Sequence, residues 1–158
     1  PRMFKAVIFD FGGVVHSKGQ TNSRQLIADL YGMSLEEIGP TIKEFAHQMS
    51  VGKIDESDFW RLLSESVERE IPKDWEVVWH KRTTEDFQIY HQIVELVNGI
   101  RKRKVRALVL SNTMLPHVEF NRAQGWYEHF DKVYLSCDIG YRKPDVAAYE
   151  VVLNDHNF

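Results

Sequence analysis

The sequence predicts an α/β fold: a parallel sheet whose first strand is followed by a long helical insert. Three observations carry this prediction. Short apolar runs with β-branched and aromatic members stand at Phe4 to Phe9, Arg106 to Leu110 and Lys132 to Ser136. Runs of this kind read as strands buried on both faces, as in a parallel sheet. Everything between about His16 and Lys104 reads as helix, and beyond it strand and helix alternate.

The elements follow in order. Gly12-Gly13 ends the first strand abruptly. Gln25 to Tyr31 has helical spacing and stops at Gly32. Ser34 with Glu37 forms a capping box, Pro40 ends or kinks that helix, and Thr41 to Met49 restarts one. Asp55 is a candidate N-cap, with Ser57 its rival, for a helix to about Glu70 whose apolar face is Phe59, Leu62, Leu63 and Val67. Pro72 breaks the chain, Trp75 to Trp79 is helical, and Ile89 to Ile100 forms the last helix of the insert. The division expected is a sheet core of residues 1–15 and 101–158, with a helical unit at 16–100. A parallel sheet binds ligands at the carboxyl ends of its strands, and the insert begins at that edge.

Composition narrows the function. With 43% hydrophobic and 27% charged residues, the 158-residue chain is an ordinary globular protein. A formal net charge of -3 offers no field for nucleic acid and no polybasic face for a membrane. The basic run Arg101 to Lys104 reads as a solvated helix C-terminus. Cys137 is the single cysteine, so no internal disulfide forms, which fits a reducing, cytoplasmic setting. Its apolar surroundings suggest a buried thiol. Pro1 and Arg2 ahead of Met3 read as a processed or appended start.

The strand ends hold the chemistry. Strand one ends in Asp10-Phe11-Gly12-Gly13, strand two in Ser111-Asn112-Thr113, and strand three is followed by Gly140-Tyr141-Arg142-Lys143-Pro144-Asp145. An aspartate, a hydroxyl and a lysine therefore converge on one sheet edge. A carboxylate there can act as nucleophile or metal ligand. A hydroxyl and an ammonium can hold phosphoryl oxygens and neutralise developing charge. Singly, each has a plain reading as turn or helix-cap chemistry. Together, in this order, they point to a site.

These segments resemble the motifs of the haloacid dehalogenase-like hydrolases. Val7 to Val15 is similar to the first motif, Leu108 to Thr113 to the second and Gly140 to Asp145 to the third. The helical insert resembles a type-one cap, including the Gly52-Lys53-Ile54-Asp55 turn before Phe59-Trp60. The Gly-rich first motif is nearest the subgroup that includes a bacterial sugar-phosphate phosphatase. The resemblance implies a Rossmann-like core with Asp10 as covalent nucleophile and Mg²⁺ ligand, and the Gly12 carbonyl as second metal contact. It further implies that Ser111, Asn112 and Gly13 contact phosphate or substrate, and that Lys143 pairs with nucleophile and phosphoryl group. The substrate implied is a small phosphorylated metabolite. Trp60, Trp75, Trp79 and His47 would line the cap, unless the aromatic residues are core.

Two departures stand out. The family's acid–base aspartate, two residues past the nucleophile, is Gly12 here; His16 is the candidate replacement, with a surface histidine the plain alternative. No fourth motif, a further strand ending in acidic residues, follows Val146 to Leu153, which suggests a fragment or a form completed by a partner. The first strand's edge would then be bare and prone to self-association. A metal-independent dehalogenase and a non-catalytic interaction module on the same scaffold are the alternative readings.

Overall fold

A computed structural model describes residues 4–158; Pro1 to Met3, read above as a processed or appended start, lie outside them. Three strands, β1 (Ala6–Phe9), β2 (Arg106–Ser111) and β3 (Lys132–Leu135), form a parallel sheet in the order β1-β2-β3. Phe9 pairs with Val109, and Ser111 with Leu135, so the carboxyl ends of all three strands meet at one edge. Five of the six β2 residues are buried, because helices cover both faces of this central strand. Val109 packs with Phe9, Val97 and Phe130 on one side. Leu108 and Leu110 pack with Tyr134, Ala148 and Val152 on the other.

β1 departs from expectation. It lies at the sheet edge among the described residues and leaves Ile8 38% exposed, so it is not buried on both faces.

Helices α1 (Ser23–Tyr31), α2 (Leu35–Ser50), α3 (Glu56–Val67) and α4 (Trp75–Thr84) share a separate apolar cluster. Local chemistry sets their limits. Asn22 caps α1 through two backbone N–H groups, and Gly32 ends it in the left-handed region that glycine tolerates. The Ser34–Glu37 capping box is formed, and Asp55 accepts from the N–H of Asp58.

Pro40 does not break its helix: α2 runs unbroken from Leu35 to Ser50. A proline inside a helix costs about 3 kcal/mol. Ile38 and Ile42, on either side of it, are fully buried, and each contributes about 2–3 kcal/mol. Pro40 itself is exposed. Packing therefore outweighs the lost backbone bond.

The last helix of the insert, α5 (His91–Lys102), starts later than Ile89. Tyr90 donates its N–H to the Val15 carbonyl at 2.8 Å, and Ile89 pairs with His16 in extended backbone. Val97, Ile93 and Ile100 then pack on the sheet cluster, so by its contacts α5 goes with the core rather than with the helical unit expected at 16–100. α6 (Leu115–Ala123) and a 3₁₀ turn, Trp126–His129, lead into β3. Ser136 begins a short helix, α7 (Ser136–Ile139), instead of ending the strand. Cys137 sits in that helix, half-buried rather than sealed in a strand. α8 (Val146–His156) closes the described chain.

Candidate active site

Asp10 follows β1 directly, and its side chain is 50% exposed. Its Oδ1 accepts the Phe11 N–H at 2.8 Å and pairs with Lys143 Nζ at 2.9 Å. Lys143 comes from the loop between α7 and α8, so the pair joins the end of β1 to the far side of the sheet. Asn112, just past β2, bridges that distance. Its Oδ1 accepts from the Lys143 backbone N–H at 2.8 Å, and its Nδ2 donates to the Lys143 carbonyl at 2.9 Å. Both ends of the amide hold the lysine's backbone, a positioning contact that motif reading did not suggest. Nearby, Thr113 N–H donates to the Ser136 hydroxyl at 3.0 Å, tying the end of β2 to the start of α7.

Ser111 is the last residue of β2 and is 5% exposed. It lines a cavity of about 270 Å³ together with Gly12, His16, Lys18, Asn112 and His117. Gly13 has φ +79° and donates its N–H to the His16 carbonyl at 2.7 Å. That donor is committed to the turn, so the phosphate contact expected of Gly13 has no free N–H to make it.

His16 stands where position 12 lacks a side chain. A Cβ at Gly12 would lie 3.9 Å from His16 Nε2 and Cε1. The imidazole is 3% exposed and packs against Phe11, Phe87 and Trp126. Its Nδ1 lies 2.7 Å from the Ser17 carbonyl. A carbonyl only accepts, so Nδ1 carries the proton in the neutral ring and Nε2 bears the lone pair. Burial holds the His16 pKa below the usual imidazole value, against the opposing pull of the Ser17 carbonyl. His117, on α6, is partly buried. Desolvation, with a smaller contribution from His16, lowers its pKa to about 4, and its Nε2 is sealed without a partner.

A larger cleft, about 710 Å³, opens beside the first and shares Asn112 and Thr113 with it. Of the four residues offered as cap lining, His47 lines this cleft. Trp60 and Trp79 are buried in the helical cluster and Trp75 packs against Trp60, so the tryptophans are core.

Asp10 Oδ2 has no protein partner among the described residues, so this carboxylate oxygen is open to a divalent cation. Oxygen donors with one carboxylate suit Mg²⁺, which keeps waters and takes substrate phosphate as further ligands. No cluster of three His, Cys, Asp or Glu able to hold a metal occurs among the described residues. No described helix is long and apolar enough to cross a membrane.

The sequence matches the family model for haloacid dehalogenase-like hydrolases over residues 4–157. A curated relative, the sesquiterpene phosphatase astK of Aspergillus oryzae, is 27% identical over 152 residues, covering 95% of this chain and 73% of its own. Among solved structures, the HAD family enzyme bt-2542 of Bacteroides thetaiotaomicron superposes with a TM-score of 0.79 at 20% identity, covering 99% of this chain and 80% of its own. The same enzyme in complex with magnesium and inorganic phosphate superposes with a TM-score of 0.76 at 20% identity, covering 98% of this chain and 80% of its own. A shared fold, three motifs at one sheet edge and a match spanning nearly the whole sequence agree: this chain belongs to the haloacid dehalogenase-like hydrolase family.

Proposed function

We propose that the chain is a Mg²⁺-dependent phosphatase that hydrolyses a small phosphorylated metabolite through an aspartyl-phosphate on Asp10, with helices α1–α4 acting as the cap. One observation carries the reading: Lys143 Nζ stands 2.9 Å from Asp10 Oδ1, next to the end of a strand that presents the Ser111 hydroxyl. In the first step an Asp10 carboxylate oxygen attacks phosphorus, the bond to the leaving oxygen breaks, and the departing alkoxide takes a proton from solvent to leave as the alcohol. In the second, water attacks the same phosphorus and the Asp10–phosphorus bond breaks. Lys143 offsets charge on the phosphoryl oxygens in both steps, and Ser111 donates to one of them. Asn112 keeps Lys143 in place. Mg²⁺ held by Asp10 and the Gly12 carbonyl would supply further charge neutralisation. The naming of astK as a phosphatase, and the magnesium and phosphate bound to the Bacteroides enzyme, support the reading.

The test is phosphate release from a panel of phosphomonoesters. Asp10→Asn should lose activity by about a thousandfold or more, and EDTA should abolish it. Equal release by wild type and Asp10→Asn sinks the reading. Halide release from 2-haloacids, assayed in parallel and surviving EDTA, would instead establish the dehalogenase alternative.

A further inference from the structure

Beside the Asp10 site lies a cavity that phosphoryl transfer does not use. The cleft of about 710 Å³ runs between α2 and the loops that follow β2 and precede Lys143. Its charged lining includes Arg24, Lys43 and Arg142 against one carboxylate, Glu44. The chain as a whole is net negative. Arg61, Arg82 and Arg101 each pair with a carboxylate within 4 Å. Arg24, Lys43 and Arg142 take part in none of the ion pairs among the described residues.

Arg142 is also held in place. Its Nη1 donates to Ser50 Oγ at 3.0 Å, and that hydroxyl donates to the His47 carbonyl at the end of α2. Four of the five guanidinium N–H groups remain without a protein partner among the described residues. Most of the surface lining the cleft is apolar, Pro40, Ala46 and Met114 included, and the three cations stand among it. Unpaired cations in a concave site concentrate anions and make charge-assisted bonds to carboxylate or phosphate. The cleft meets the smaller cavity at Asn112 and Thr113, so one ligand can reach from Ser111 into it.

We propose that the substrate carries a second anionic group, a carboxylate or a phosphate, which this cleft holds through Arg24, Lys43 and Arg142 while the first phosphoryl group is hydrolysed. The proposal rests on the phosphatase reading and narrows its substrate class to phosphomonoesters with two anionic ends.

Calorimetry on the full chain with three non-hydrolysable probes tests it: propylphosphonate, 3-phosphonopropionate and propane-1,3-bisphosphonate. Both doubly anionic probes should bind about tenfold more tightly than propylphosphonate, as expected for one added charge-assisted contact. The better of the two identifies the group. Lys43→Met and Arg24→Met, both at exposed positions, should each reduce that advantage severalfold. Equal affinity for all three probes overturns the proposal, as does an advantage that survives both substitutions. So does tighter binding of geranyl phosphate, which would point to an apolar occupant. An anion advantage without phosphate release from the matching esters would uphold the cleft and sink the phosphatase reading. Phosphate release without the advantage would do the reverse.

Discussion

At the residue scale, Gly12 and His16 pose the sharpest chemical question. Gly12 keeps a carbonyl for a cation but has no group to move a proton. His16 Nε2 lies 3.9 Å from the Cβ that position 12 lacks, with its tautomer set by the Ser17 carbonyl. We infer that His16 handles the proton of the attacking water. His16→Gln should then slow breakdown of the phosphorylated enzyme by about a hundredfold or more, and Gly12→Asp in that background should restore part of the rate. A His16→Gln enzyme with the wild-type steady-state rate and an unaltered melting temperature would refute the role.

His117 gives a pH prediction. Its folded pKa of about 4 lies below the unfolded value near 6.5, so the neutral ring favours the folded state. That stability is fully present above pH 6.5 and is lost as pH falls toward 4, by up to about 3 kcal/mol. Its Nε2 is sealed without a partner, so an apolar side chain removes a cost as well as a titration. Between pH 6.5 and 4, His117→Leu should lose less melting temperature than the wild type, with a residual fall from His16, whose pKa is also held low by burial. Parallel curves for the two proteins would show that His117 does not carry the acid sensitivity.

At the element scale, the turn after α2 packs backbone against backbone with the core. Gly52 has φ +71°, and a Cβ there would lie 2.2 Å from the Cys137 carbonyl oxygen in α7. Backbone cannot yield as a flexible side chain does. Gly52→Ala should therefore destabilise the protein by about 2 kcal/mol or more and raise KM by displacing α2 from the cleft. A variant with unchanged melting temperature and KM would contradict this coupling.

Element limits were legible wherever a local signal sets them, as at Gly32, Ser34–Glu37 and Asp55. They were misread wherever distant contacts decide. Pro40 was outvoted by the burial of Ile38 and Ile42. Ile89 became extended because it pairs with His16, 73 residues earlier. α5 went to the sheet because its apolar stripe meets Phe9 and Val109.

At the scale of the whole molecule, the three chemical groups were legible because a parallel sheet gathers its strand ends: Asp10 follows β1, Ser111 ends β2, and Lys143 lies in the loop that β3 reaches through the short helix α7. Their supports were not. Asn112 and Lys143 are 31 residues apart, and only the folded chain shows one amide bracketing the other's backbone. The cationic cleft draws on α1, α2 and two core loops, and no linear pattern joins Arg24, Lys43 and Arg142.

The central claim is that Asp10 becomes phosphorylated. It is tested most directly by mixing the enzyme with Mg²⁺ and a turned-over phosphomonoester, quenching in acid within the first turnovers, and weighing the peptide that contains Asp10. The account predicts a fraction of that peptide heavier by one phosphoryl group, absent in Asp10→Asn and enriched in His16→Gln. Phosphate release from wild type with no phosphorylated peptide at any quench time, in either the wild type or His16→Gln, would contradict it.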